Sequence, residues 1–153
     1  MANSYTQLYI QIVFAVKSRE NLISEQWRVS LEKYICGIIT HNKSKPLAIY
    51  CNPDHTHILL GIHPGISISE MARDLKTNSS RWINENKLIK GKFNWQEGYG
   101  AFTYSKSQLD AVIKYIINQP IHHKKITFKE EYLRILQKSN VDYDERYLFE
   151  WYD

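Results

Sequence analysis

Leu47-Ala48-Ile49-Tyr50-Cys51-Asn52-Pro53-Asp54-His55-Thr56-His57-Ile58-Leu59-Leu60-Gly61-Ile62 is the stretch on which the fold turns. Leu47 to Cys51 and Thr56 to Ile62 are runs of aliphatic, aromatic and β-branched residues. Asn52, Pro53 and Asp54 between them carry turn chemistry, so the segment reads as a β-hairpin. Upstream, residues 5–16 place Leu8, Ile10, Ile12 and Phe14 on one phase, as a half-buried strand does. Ser24 then caps a helix over Glu25 to His41, in which Trp27, Leu31, Tyr34, Ile35, Ile38 and Ile39 recur at helical spacing. Asn42 and the Lys43 to Pro46 stretch end that helix. Downstream, Ser67 and Glu70 form a capping box for a helix whose stripe of Met71, Leu75, Trp82 and Ile83 runs to Asn84. Gly98 to Gly100 precede a short strand, Ala101 to Tyr104. Ser107 with Asp110 caps a helix from Gln108 to Asn118, which Pro120 stops, and Thr127 with Glu130 opens a last helix to Lys138.

The order strand, helix, strand, strand, helix, strand is a split βαβ layout. It predicts an α+β fold, ferredoxin-like or RRM-like, with an antiparallel sheet, helices on one face and an added C-terminal helix bearing Tyr115. That architecture serves nucleic-acid binders and enzymes alike, so it leaves function open.

With 153 residues and no Gly/Ser/Pro-rich linker or repeat, one domain over 1–153 is expected. Twenty Lys and Arg against sixteen Asp and Glu give a net charge of +4, too weak to grip a polyanion by bulk charge. Cys36 and Cys51 form no CxxC pair, which argues against a disulfide framework or a thiolate zinc site and for a reducing compartment. The apolar run Leu8 to Val16 lacks a basic leader, and no window reaches the roughly 18 apolar residues of a membrane span. A cytoplasmic protein with no membrane partner is expected.

Two short stretches carry candidate chemistry. Alternation along a strand puts His55 and His57 on one side, about 7 Å apart, where two imidazoles can share one divalent cation. Ordinary hydrogen-bonded histidines give the same pattern, so the motif alone decides nothing. Tyr115 and Gln119, four apart, share a helix face provided the last turn survives to Gln119 before Pro120. A core tyrosine with a satisfied hydroxyl fits that position equally well.

Together these stretches resemble the single-tyrosine HUH transposases of the insertion-sequence 200/605 group and their relatives associated with repetitive extragenic palindromes. The resemblance covers most of the chain. It runs through the Tyr9 to Lys17 strand, Asp54-His55-Thr56-His57, Leu75-Lys76-Thr77-Asn78-Ser79-Ser80-Arg81, Trp95-Gln96-Glu97-Gly98-Tyr99-Gly100-Ala101-Phe102, and Tyr115-Ile116-Ile117-Asn118-Gln119 followed by His122-His123. It implies that His55, His57 and Gln119 hold a divalent metal, Mg²⁺ or Mn²⁺, and that Tyr115 is the nucleophile. It further implies cleavage and strand transfer on single-stranded DNA with a hairpin, through a covalent 5′-phosphotyrosine, by a homodimer. The family's middle motif residue is bulky and apolar, whereas here it is Thr56. Its side chain points away from the metal face, so only local packing is expected to change.

Arg73, Lys76, Arg81, Lys87, Lys90 and Lys92 crowd one window, and Lys114, Lys124 and Lys125 flank the tyrosine block. These nine are the candidate DNA-binding residues, through phosphate contacts. His122 and His123 are expected to position or touch DNA, and His63 is left out of the site. The acidic Asp142 to Asp153 tail is expected to pack on protein. Two alternatives remain at this point: a non-catalytic split βαβ nucleic-acid-binding module, and a host-retained HUH endonuclease. A replication or conjugation initiator with the same chemistry would need further domains.

Overall fold

The computed structural model describes residues 4–149. Strands β1 (Tyr9–Ala15), β2 (Lys45–Cys51), β3 (His55–Gly61) and β4 (Gly100–Tyr104) form one antiparallel sheet in the order β2-β3-β1-β4. That order, with the first and third strands central, is the one a split βαβ unit produces. The hairpin of the opening stretch is β2 and β3, and its turn, Asn52 to Asp54, leads directly into the two histidines. Helices α1 (Glu25–His41) and α2 (Ile68–Glu85) begin where their caps predict. Ser24 Oγ accepts from the Gln26 amide and Ser67 Oγ from the Glu70 amide.

Register assigns the two faces of the sheet. Ile12 pairs with Ile58 and Phe14 with Thr56, while Val13 pairs with His57 and Ala15 with His55. Directly opposite residues share a face. Ile12, Phe14, Ile58 and Leu60 therefore face α1 and α2, where they are buried with Leu31, Ile35, Met71 and Leu75. His55, His57, Gln11 and Val13 face the other way. Thr56 points into the α1–α2 side, fully buried, its hydroxyl donating to the Tyr50 carbonyl at 3.2 Å.

The second face is covered by α3 (Leu109–Ile117), the short α4 (Gln119–His122) and α5 (Phe128–Lys138). The start of α3 differs from the sequence expectation. A 3₁₀ turn, Lys106–Gln108, precedes it, and the capping box is Ser105 with Gln108. Gln108 reaches back to the Ser105 amide at 2.9 Å, and the Ser107 hydroxyl bonds to the Ser105 hydroxyl at 2.8 Å. The end also differs: α3 stops at Ile117, Asn118 caps it, and α4 starts with Pro120 in its first turn. Pro120 has no N–H to give the Ile116 carbonyl and its ring crowds that carbonyl, so α3 cannot run on through it and the chain restarts with Pro120 in the first turn of α4. The Thr127 cap of α5 holds, accepting from the Glu130 amide at 3.2 Å.

Close approach of α5 to the sheet depends on Gly100. A Cβ there would lie 2.9 Å from Cε1 of Tyr132 and 3.0 Å from Cε2 of Phe102. Tyr132 is buried against Phe102, Phe128 and Phe149, so it has little room to yield. Gly100→Ala is expected to cost about 1–3 kcal/mol through overpacking, read as a lower melting temperature. A variant melting like the parent would show that α5 is not pressed on β4. Of the acidic tail, Glu150 to Asp153 lie outside the described residues, and Phe149 packs at 5.0 Å on Tyr132.

Candidate functional site

His55 and His57 are 1% and 0% exposed, so the strand delivers both imidazoles into the space under α3 and α5. Each ring is fixed through Nδ1. His55 Nδ1 donates to Asp54 Oδ1 at 2.7 Å, and the ring stacks on Phe128 with centroids 3.8 Å apart. His57 Nδ1 accepts from Gln11 Nε2 at 2.8 Å, and Gln11 Oε1 accepts from the Tyr104 hydroxyl at 2.7 Å. A half-turn of the Gln11 amide exchanges these roles and frees His57 Nε2 as a lone-pair donor. Partners that hold Nδ1 and leave Nε2 pointing at a common spot are the usual setting of metal-binding histidines.

That common spot is the carboxylate of Glu131 in α5, itself 1% exposed. Its Oε1 lies 3.3 Å from His55 Nε2, 3.0 Å from His57 Nε2 and 3.0 Å from His123 Nε2. Its Oε2 accepts from the Tyr115 hydroxyl and, at 2.9 Å, from Gln119 Nε2. Tyr115 and Gln119 thus meet, although the helix between them is broken at Asn118. The Tyr115 ring stands edge-on to His57 with centroids 5.9 Å apart, and His122 lies over it at 4.7 Å. Gln119 Oε1 accepts from Asn52 Nδ2 at 3.0 Å, and the same amide reaches His55 Nε2 at 3.2 Å.

Electrostatics follow from this packing. Burial tends to raise the Glu131 carboxyl, but His57, His123 and His55 outweigh it and hold the group well below the usual carboxylate range. Burial lowers His55, yet Asp54 and Glu131 more than offset it and the net direction is upward. For His57 burial wins over the Glu131 carboxylate and the shift is downward. Burial, then the adjacent carboxylate, pushes the Tyr115 phenol up, so in this arrangement it is held protonated.

The donor set suits a divalent cation. His55, His57, His123 and Glu131 offer ligand atoms all within 4.8 Å of one another, mixing imidazole nitrogen with a hard oxygen. A cleft of about 440 Å³ opens beside them, lined by Asn52, Asp54, His55, His123, Lys124 and Lys125 among others.

The other predicted residues divide by location. Lys124 and Lys125 stand on the cleft, and Arg73, Arg81, Lys87, Lys90, Lys92 and Lys114 are exposed. Lys76 is instead committed to the fold: its Nζ donates to the Gln96 carbonyl at 2.9 Å and to the Gly98 carbonyl, and burial pulls its pKa down to about 8. His63 is exposed at the end of β3, accepting from the Gly65 amide at 2.9 Å, away from the cluster. Glu131, His123, Asn52 and Gln11 join the site without having been assigned to it from sequence. Glu131 follows directly on Glu130 of the capping box, so it reads as first-turn acidity that favours a helix N-terminus. Its partner His57 is 74 residues away.

The family profile described as transposase IS200-like matches residues 4–119. The ISDra2 transposase TnpA of Deinococcus radiodurans is 26% identical over 119 residues, which are 74% of this chain and 84% of that protein. A crystallised protein of Deinococcus radiodurans R1 described as a transposase superposes with a TM-score of 0.63 at 25% identity, over 78% of this chain and 95% of its own. A REP-associated tyrosine transposase bound to a REP hairpin superposes with a TM-score of 0.60 at 16% identity, over 89% of this chain and 86% of its own. At that identity the likeness is one of fold.

Proposed function

The chain belongs to the IS200-like transposase family, and from that premise we propose that it cuts and rejoins single-stranded DNA at hairpin-bearing ends through a covalent 5′-phosphotyrosine on Tyr115. The observation that carries this is the convergence of the Tyr115 hydroxyl, the Gln119 amide and Nε2 of His55 and His57 on one buried carboxylate.

Each residue then has a task. One proton leaves the Tyr115 phenol and one is taken up by the departing 3′ oxygen: Oη attacks phosphorus, the Oη–P bond forms as the P–O3′ bond breaks, and a free 3′-OH leaves. Attack by a 3′-OH on the phosphotyrosine reverses these bond changes, so rejoining needs no external energy source. His55, His57 and Gln119 would hold Mg²⁺ or Mn²⁺, whose chemistry when bound is to polarise the phosphate and stabilise charge gathering on it. Asp54 and Gln11 keep the imidazoles oriented, and Asn52 keeps Gln119 in place. Lys124 and Lys125 at the cleft receive the phosphates next to the scissile bond, and the exposed basic residues of α2 and the segment after it follow the hairpin backbone. Within the chain, Tyr115 lies beside His57, with ring centroids 5.9 Å apart. A homodimer would provide one nucleophile for each of two ends.

The test uses the full chain, Mn²⁺ and a hairpin oligonucleotide labelled at either end. A 3′-end label is expected to migrate with denatured protein, and a 5′-end label to appear in a shorter free strand. Binding without an adduct, or cleavage that leaves neither label on protein, would overturn the proposal.

A further inference from the structure

Resting on the reading that His55 and His57 hold a divalent ion, the geometry points to Glu131 as the anionic ligand of that ion, supplied by a helix beyond the span matched by the family profile. One carboxylate oxygen is faced by three imidazole Nε2 atoms at 3.0–3.3 Å. A cation shared among these four atoms would satisfy them together, where hydrogen bonding requires every ring to bring a proton. The carboxylate is 1% exposed, and among the described residues its ion pairs are all with imidazoles and none is with Lys or Arg. A buried negative charge so placed calls for positive charge beside it.

Counting charge favours the same assignment. Two imidazoles and the Gln119 amide are neutral and would leave both charges of the ion uncompensated in a buried site; one carboxylate halves that excess. Mg²⁺ and Mn²⁺ favour carboxylate oxygen over a site built of nitrogen alone. Oε2 meanwhile keeps the Tyr115 hydroxyl and Gln119 Nε2, so one side chain references both the ion and the nucleophile.

The proposal is tested by Mn²⁺ binding to the full chain without DNA, followed by calorimetry and by electron paramagnetic resonance, in the parent, Glu131→Gln and Glu131→Asp. Glu131→Asp keeps the charge among the imidazoles, and so protects the fold, but draws the oxygens back by one methylene. Both variants are expected to weaken Mn²⁺ by about 10–100-fold or more, while the spin-echo modulation from imidazole nitrogen persists on the ion that remains bound. A folded variant of either kind that binds Mn²⁺ as the parent does would overturn Glu131 as a ligand and leave the histidine site standing. A parent that binds no Mn²⁺, or binds it without imidazole modulation, would overturn both.

Discussion

Tyr115→Phe is expected to abolish the covalent protein–DNA adduct, a loss of at least about 10⁴-fold, with the fold and hairpin binding retained. The substitution removes one oxygen. Glu131 loses the Tyr115 hydroxyl but keeps Gln119 and three imidazoles as partners, so no buried carboxylate is stranded. The ring stays between His57 and His122, at 5.9 Å and 4.7 Å. A stability change of about 1–2 kcal/mol is expected from one lost bond to a charged acceptor. Hairpin affinity should stay within a few-fold, because the basic residues are untouched. The measurement is an end-labelled adduct assay beside a gel-shift titration and a thermal melt. An adduct that survives would move the nucleophile elsewhere, and Tyr104, whose hydroxyl reaches Gln11 beside His57, is the first candidate.

What was readable in the sequence is what local rules determine. The β1 and β3 alternation settles which face receives His55 and His57, and the caps Ser24, Ser67 and Thr127 set three helix starts because each bond is closed within three residues. Two errors arise where local signals compete. Ser105 and Ser107 both precede α3 as plausible caps, and Gln108 decides for Ser105 by reaching back to its amide. Lys76 reads as one of a basic run, yet the turn of α2 it occupies aims it at the Gln96 and Gly98 carbonyls, a contact across 20 residues and more. Glu131 was illegible for the same reason on a larger scale. Nothing within its own helix separates it from Glu130, and its meaning comes from α5 lying over β3 and β4. Trp82 illustrates the remaining class: on the apolar stripe of α2, it packs against the core half-buried and stacks on Tyr34 at 5.2 Å. Helical spacing fixes a face; depth depends on what lies opposite.

Phe14→Ala is expected to be the most damaging single core truncation, at about 3–5 kcal/mol of stability. Phe14 lies in β1, one of the two strands paired on both edges, and is 0% exposed. Its ring meets Trp95 edge-on at 4.6 Å, and Trp95 in turn donates Nε1–H to Ser79 of α2 at 2.9 Å. Lys76 lies over the same ring at 5.7 Å while holding the loop after Trp95. Truncation therefore opens a cavity at the junction of β1, α2 and that loop, where β1 is pinned between β3 and β4 and cannot collapse inward. Domains of this kind have roughly 5–15 kcal/mol in total, so the folded fraction should fall visibly, with a melting temperature lower by about 10–15 °C. The consequence reaches the site through register. Phe14 pairs with Thr56, the residue between the two histidines, and its neighbours Val13 and Ala15 pair with His57 and His55. Mn²⁺ should accordingly raise the melting temperature of Phe14→Ala, as it does for any chain in which the ion binds only the folded state. A melt lowered by less than about 2 °C would mean that Phe14 is not the wedge joining sheet, helix and loop, and would remove the mechanical link drawn between the core face of β1 and the histidine face of β3.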